Sequence, residues 1–584
     1  MQHERYDVVI IGAGLAGLTL ARQLLGRADL KILHLEKKAQ VPGDRQKVGE
    51  SNVQVQGYYL GKVLDLEEYL FHEHLMKYNL RFYWKTPGEG ADDFGHYSQS
   101  YIRKFSNIPC YQLDRNKIEK DLAAMNRTSP LYNLLEGAQK VTVQLSENEE
   151  DHSISYVHGG EAFTVAANWV VDSSGRNRKL ASDMGLKKKG DLNHSSTFFW
   201  VDGIINIEKM GTASAQEKRL HKSRRELGHL PSWLATNHFM GKGFWFWVIP
   251  LQGRTSFGLV YNADVIDPAL VTKPEKLLAW LYEHFPMFEA ALAGKEIVDF
   301  SVMHKYTHDC TRTLDRNRYA MTGEAGRFTD PLYSPGGDLI SIHNTLITQC
   351  ILEKNAKKRR EMVGHYETMF QIFYKSFLPS YAPGYSILGD QEAFAMKYTW
   401  ELAVYFGFFV FPFINDLLTE RNFLIPYFRR LANLGDINHK ILNQLAAYCT
   451  WKEEHVVAPS MPHFFEFTQV EALRDAEKTF YEVGLNPKQA IAVLDEQLLN
   501  LKECARYFLA HMDAVMTGKA YLCHSREYVE AIDFKQVDFC ADRLAAAAAN
   551  INPGGETYAW RLNAQLLNNH FPPQLHTCAK MTPV

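Results

Sequence analysis

Residues Asp7 to Gly17 read DVVIIGAGLAG. Val8 to Ile11 form a short, wholly apolar, β-branched run, the pattern of a parallel strand buried on both faces. Gly12-x-Gly14-x-x-Gly17 follows, and LTLARQLL after it has helical spacing. In such a strand–turn–helix unit Gly12 permits the tight turn. Gly14 lets backbone approach a pyrophosphate, and Gly17 lets the helix close on the strand. With Ala13, Leu15 and Ala16 these residues form the start of a helix, whose free N–H groups and positive dipole end favour phosphate. A second strand, LKILHLE, ends at Glu36, where a carboxylate can hold ribose hydroxyls, with Lys37 beside it. The stretch predicts an α/β, doubly wound, Rossmann-like dinucleotide-binding domain, with FAD and NAD both open at this point.

The 584 residues hold roughly two to four domains' worth of chain. The composition, 46% apolar and 22% charged, is that of a globular protein, and a net charge of −3 argues for no polyanion partner. The basic run KNAKKRRE (Lys354 to Glu361) reads as a solvated helix face rather than a nucleic-acid site. Eight scattered cysteines without a CxxC suit reduced thiols in a cytoplasmic protein and no metal site. The N-terminus lacks the pattern of a signal peptide, and no apolar run reaches the length of a transmembrane segment. Aromatic residues are 12% of the chain and gather in FQIFYKSF (Phe370 to Phe377) and YFGFFVFPF (Tyr405 to Phe413). These read as buried helix, as a pocket lid, or as a weak membrane-surface patch, in that order.

Further motifs follow the glycine loop in order. Tyr111-Gln-Leu-Asp-Arg115 precedes a helix, NKIEKDLAA. Trp169 to Gly175 is a strand running into a glycine turn. Arg318 to Glu324 is another, continuing as AGRFTDPLYSPGGD. This series resembles the FAD-dependent monooxygenases with an aromatic-hydroxylase-like fold. The resemblance implies FAD contacts from Arg115, Glu324, Asp330 and Pro331, with the last segment passing the flavin ring.

Gly243 to Pro250 reads GFWFWVIP. Strand alternation puts Trp245 and Trp247 on one face, either of a core strand or of a chamber wall. Trp245-x-Trp247-x-Ile249-Pro250, together with the glycine loop, resembles the flavin-dependent halogenases. Lys47-Val-Gly49-Glu50-Ser51 resembles that family's segment after the second strand, and Lys77-x-x-x-x-Phe82-x-Trp84 resembles the stretch with its active lysine. Lys47, Lys62 and Lys85 compete with Lys77 if the alignment slips. The resemblance covers about residues 5 to 350 and implies an enzyme that uses FADH2 from a separate reductase, O2 and halide, chloride or bromide. Hypohalous acid would pass to Lys77 and halogenate an electron-rich aromatic, a phenol, pyrrole or indole, free or carrier-tethered. The indoles would wall the flavin from the substrate.

Four positions depart from the family pattern. Where the tryptophan-type enzymes carry a glutamate after Asp-Pro-Leu, this chain has Tyr333, which resembles the phenol and pyrrole type and removes a candidate base. In Ser334-Pro335-Gly336-Gly337, where family members bind halide through backbone N–H groups beside the flavin ring, Pro335 has none to give. Glu324 stands for a usual Asp, and Gln54 for a usual proline. The second and third readings are a flavin monooxygenase or dehydrogenase that does not halogenate, and a non-catalytic flavin- or carrier-binding module. The expected division is residues 1–195 with 300–355 for FAD, 196–299 for a substrate-side sheet, and 356–584 for a mainly helical C-terminal lid. QVEALRDAEKTFYEVG and PKQAIAVLDEQLLNLKECARYFLAHMDAVMTG have helical spacing.

Overall fold

The computed structural model describes residues 4–212, 231–457, 460–535, 546–561, 563 and 566–572. The Val8–Ile11 run lies at the centre of a parallel sheet. Its strand, Glu4–Ile11, pairs with Ile32–Glu36 on one side and Glu161–Asp172 on the other. Tyr132–Glu136 and Tyr319–Met321 extend the parallel array at its two ends. The order of growth reverses at the first strand, so the loops beyond Ile11 and Asp172 diverge and open a crevice, the usual ligand position of doubly wound folds. Three helices cover this crevice's flank: α1 (Leu15–Leu25), α2 (Arg115–Arg127) and α3 (Pro335–Leu352).

The glycine assignments follow from geometry. Gly12 has φ +100°, and a Cβ there would sit 2.6 Å from the Ser173 carbonyl oxygen. A Cβ on Gly17 would sit 2.4 Å from the Gly12 carbonyl oxygen, so only glycine lets α1 close on the strand. At Gly14 nothing lies within 4 Å, which leaves the ligand side open.

A second sheet of eight strands stands against the first. Its order is Ile297–Met303, His194–Asp202, Arg254–Asn262, Phe244–Leu251, Thr236–Gly241, Leu80–Lys85, Tyr97–Tyr101 and Phe464–Glu466. The sequence places this sheet at 196–299. The structure draws two strands from the segment before it and one from the C-terminal region, because Leu80–Lys85 pairs parallel to Thr236–Gly241 and so completes the sheet from outside. Both faces are buried, which explains the unbroken apolar run of GFWFWVIP. Trp245, Trp247 and Ile249 join the core shared with the first sheet and its helices, whereas Phe246 and Val248 join a separate core under the 274–292 helices.

The C-terminal region is helical: α4 (Ala356–Phe377), α5 (Gln391–Tyr405), α6 (Arg421–Glu454) and α7 (Pro487–Thr517). Asn486 caps α7 reciprocally with Gln489, and Gly518 ends it at φ +67°. The helix in QVEALRDAEKTFYEVG runs only over Glu471–Lys478. In KNAKKRRE, Lys357, Lys358 and Arg360 are exposed, while Arg359 is buried and pairs with Glu149. Phe370, Phe373, Phe406, Phe408 and Phe411 are buried, so both aromatic stretches are interior. Six cysteines are free, Cys540 and Cys578 lie outside the described residues, and no metal-binding cluster occurs among those described. No helix among the described residues is long and apolar enough to cross a membrane.

Candidate active site

Two cavities flank the first turn of α3. One, a cleft of about 1210 Å³ that is partly open to solvent, follows the crevice of the parallel sheet. Leu15 of the glycine loop, Gly49, Arg115, Glu324, Pro331 and Ser334 line it. Glu36 accepts hydrogen bonds from Ala13 N (2.7 Å) and Lys38 N (2.9 Å), so its buried carboxylate braces the glycine loop, and it does not itself line the cleft. The neighbouring Lys37 is exposed and does not line the cleft, because the strand ends there and turns its side chain to solvent. Arg115 donates to the Val48 carbonyl and to Glu119, while its buried Nε has no partner. Open space at Gly14 and an orphaned guanidinium N–H fit a dinucleotide with an anionic pyrophosphate. Burial pushes the Glu324 carboxyl up.

Asp330 does not line the cleft, contrary to the expected cofactor contact. It is fully buried and takes hydrogen bonds from Tyr306 Oη (2.7 Å), Tyr385 Oη (2.9 Å) and Leu332 N (3.0 Å), with His194 Nδ1 at 2.9 Å. These partners fix the start of the Pro331–Gly337 loop. Trp245 Nε1 donates to the same Tyr385 hydroxyl at 2.9 Å, which ties the indole to this hub.

Trp245, Trp247 and Ile249 line the cleft and Pro250 does not. Pairing to Thr236–Gly241 ends at Val248, so Pro250 lies where the strand has lost that neighbour. The two indoles belong to a ridge of rings. Phe82 stacks on His238 at 4.8 Å, His238 meets Trp245 at 5.2 Å, Trp245 meets Trp247 at 5.7 Å, and Trp247 meets Phe198 at 5.9 Å. Trp247 crosses an intervening strand to reach Phe198. It can do so because residue 258 is glycine: a Cβ there would lie 2.2 Å from the indole.

The other cavity, a chamber of about 1300 Å³ that is partly open to solvent, is lined by Lys77 and largely by aromatic and aliphatic side chains of α4, α5, α6 and the Phe406–Val410 turn after α5. Phe377, Tyr405, Phe406 and Phe409 are among them. Lys77 is 3% exposed, and burial pushes its amine down to about 8. Its Nζ donates to Ser51 Oγ at 3.1 Å and to the Asn52 carbonyl. Ser51 and Thr236 line the cleft and share a hydrogen bond of 2.7 Å. A polar link therefore runs from the cleft through Ser51 to an amine facing the chamber. The competing lysines stand elsewhere: Lys47 pairs with Glu119, Lys62 with Glu67 at the surface, and Lys85 is exposed.

Tyr333 and Ser334 both adopt left-handed backbone, φ 68° and 61°. The resulting twist sends Ser334, Gly336 and Gly337 to the cleft and Tyr333 and Pro335 to the chamber. Pro335 occupies the first position of α3, where a proline costs no helical hydrogen bond. Gly336 and Gly337 keep their N–H groups at the dipole's positive end.

Sequence reading missed several residues. Glu119 bonds Leu15 N at 3.2 Å and also holds Arg115 and Lys47. Asp338 accepts from Gln56 N (2.8 Å) and Tyr405 Oη (2.6 Å), and burial pushes it up to about 7. Its place in Gly-Gly-Asp, one turn into α3, was the available signal. Glu401 and Lys397 on α5 carry no local motif.

No family model matches the chain. It is 29% identical over 394 residues to flavin-dependent halogenase chlA of Dictyostelium discoideum, covering 63% of each chain, so the match spans less than two thirds of that relative. It is 22% identical over 387 residues to the 1H-pyrrole-2-carbonyl-[peptidyl-carrier protein] chlorinase of Pseudomonas fluorescens, covering 64% of this chain and 81% of that one. The fold is similar to the crystal structure of halogenase PltM, with TM-score 0.59 and 17% identity, covering 85% of this chain and 96% of that one. Those similarities agree with the glycine loop, the paired indoles and the buried lysine: the relatives this chain resembles, in sequence and in fold, are flavin-dependent halogenases.

Proposed function

We propose that the protein halogenates an electron-rich aromatic, free or carrier-tethered, using FAD reduced by a separate cytoplasmic reductase, O2, and chloride or bromide. The observation that supports this reading is Lys77: a buried amine, facing an aromatic chamber, hydrogen-bonded through Ser51 to the flavin-side cleft. In this reading Gly12 to Gly17 and the start of α1 hold the pyrophosphate, Glu36 the ribose, and Arg115 and Glu324 flank the dinucleotide. When bound, reduced FAD with O2 supplies the oxidising equivalent that turns halide into hypohalous acid.

The chain's own groups do the rest. Gly336 and Gly337 N–H groups, at the positive end of α3, attract the halide beside Ser334, with Pro335 contributing helix initiation instead of a donor. Trp245 and Trp247 exclude water and keep the aromatic substrate off the flavin ring. Lys77 donates a hydrogen bond to the oxygen of hypohalous acid, making the halogen more electrophilic. The domains we propose follow the cavities: 1–195 with 300–355 for flavin, the 196–299 strands for the wall, and 356–584 for the chamber.

The test is a product mass spectrum from FADH2, O2 and bromide with phenols, pyrroles and indoles. A bromide-dependent mass increase with a bromine isotope pattern is expected. The second reading, monooxygenation without halogenation, is favoured by the missing Pro335 N–H, and a halide-independent oxygenated product would establish it instead.

A further inference from the structure

Tyr333 removes the carboxylate that tryptophan-type enzymes place after Asp-Pro-Leu, yet the chamber wall holds one from another element. Glu401 lies one turn beyond Lys397 on α5, and its side chain is 9% exposed. Glu401 Oε2 is 2.6 Å from Lys397 Nζ. The same ammonium donates to Tyr333 Oη at 3.1 Å and lies 4.9 Å from that ring's centre. Glu401 and Tyr333 line the chamber with Lys77, whereas Lys397 stands behind them. Room for Lys397 comes from Gly384, where a Cβ would sit 2.8 Å from Lys397 Cε. Glu401 Oε1 is buried and has no hydrogen-bond partner.

A purely structural ion pair has no use for that orphan. A buried acceptor without a donor costs about 1–3 kcal/mol, and an ion pair in this setting is often no more stable than apolar residues of the same shape. The free oxygen borders a cavity whose lining is mainly apolar, with Tyr333, Tyr398, Phe406 and Phe409 among it, so it is matched by a ligand with one donor on an apolar aromatic body. A negatively charged ligand group would be repelled by it.

We infer that Glu401 is the acceptor for the substrate's hydroxyl, and that the chamber takes a phenol. This inference rests on the halogenase reading of the same site. A phenol gains most from a carboxylate because its hydroxyl, with an ordinary pKa near 10, is far more acidic than an indole or pyrrole N–H. The hydroxyl proton moves to Glu401 Oε1 as its electron pair enters the ring. The ortho or para carbon then bonds the halogen of hypohalous acid while the halogen–oxygen bond breaks. The departing hydroxide takes a proton from Lys77 and becomes water. The ring proton returns to Lys77, and Glu401 gives the hydroxyl proton back. Arene and hypohalous acid become haloarene and water. Lys397 and Tyr333 are positioning residues for Glu401.

The test uses FAD-loaded protein, with 2-naphthol and its methyl ether titrated calorimetrically at neutral pH. Wild type is expected to bind the naphthol at least about tenfold more tightly than the ether, one charge-assisted hydrogen bond's worth. Glu401→Gln is expected to erase that preference with FAD affinity unchanged. Glu401→Asp restores part of it. Should Glu401→Gln fail to load FAD, Lys397→Met/Glu401→Gln, which removes both charges, carries the same measurement. Equal binding of naphthol and ether by wild type, or a preference that survives Glu401→Gln, overturns the inference. So does a Glu401-dependent preference for indole over N-methylindole with none for the naphthol. In turnover, Glu401→Gln is expected to lower kcat for phenols about 100-fold, the size of a lost general base, while hypobromous acid trapped by an added amine is unchanged. If wild type halogenates nothing, the halogenase reading fails, and the naphthol preference still decides the role of Glu401.

Discussion

The flavin-side cleft and the aromatic chamber are walls apart and built by opposite rules. At its glycine-loop end the cleft is built of backbone, a helix start and tight turns close to their motifs, and farther along Trp245, Trp247, Ile249, Met303 and Phe328 wall it. In the proposed reading its N–H groups meet the ligand, and side chains such as Glu36, Glu119 and Arg115 hold the loops in place. The chamber is made of side chains brought from Leu80, α3, α4, α5, α6 and the segments between them, with Lys77, Asp338 and Glu401 among its ionisable groups. The cleft can therefore be shared across a family, while the chamber can be rebuilt for each substrate by changes scattered along the chain.

That contrast breaks most sharply at Lys77. Lys77→Ala is expected to lower halogenated product about a thousandfold, within the range for a positioned proton donor, with FAD affinity unchanged. Loss of FAD binding in this variant would merge the two regions into one. Next in size is the charge itself. The buried amine sits at about 8 against an ordinary 10.5, so the folded state disfavours the ammonium. Between those values the unfolded chain binds more protons, and stability rises with pH. Relative to Lys77→Met, wild type should gain on the order of 3 kcal/mol from neutral pH to above 10.5. Denaturant melts of both proteins across that range measure it, and parallel curves would refute it. On the cleft side, Gly17→Val drives a branched side chain into the Gly12 carbonyl. Strain of about 2–3 kcal/mol should weaken FAD about 100-fold, read by flavin retention on gel filtration. Smallest is Gly258→Val, which evicts the Trp247 ring. It should cost about 2 kcal/mol of stability and raise the share of oxidant escaping to an amine trap, because the ridge is opened.

The glycine loop was legible in the sequence because its physics is local: a strand, three spaced glycines and a helix occupy Asp7 to Leu25. Trp245 and Trp247 were legible as a pair on one face from alternation alone. That Gly258 makes their wall possible was not, since the glycine sits on the next strand and has no periodic signature. Asp330 misled for a related reason: a motif aspartate beside a flavin segment invites a cofactor role, whereas His194, Tyr306 and Tyr385 arrive from three distant segments to bury it. Lys397 and Glu401, four apart on a helix, look like any surface pair until tertiary packing seals them.

The second sheet has one more consequence. Its edge strand, Phe464–Glu466, pairs with Tyr97–Tyr101, and Leu80–Lys85 waits for Thr236–Gly241. Such distant pairings make folding slow, and on the ribosome they delay closure until most of the chain has emerged. A nascent protein can finish its glycine loop early and still have no sealed chamber. If the proposed reaction holds, the order of synthesis leaves its oxidant no chamber to enter until the C-terminal helices are in place.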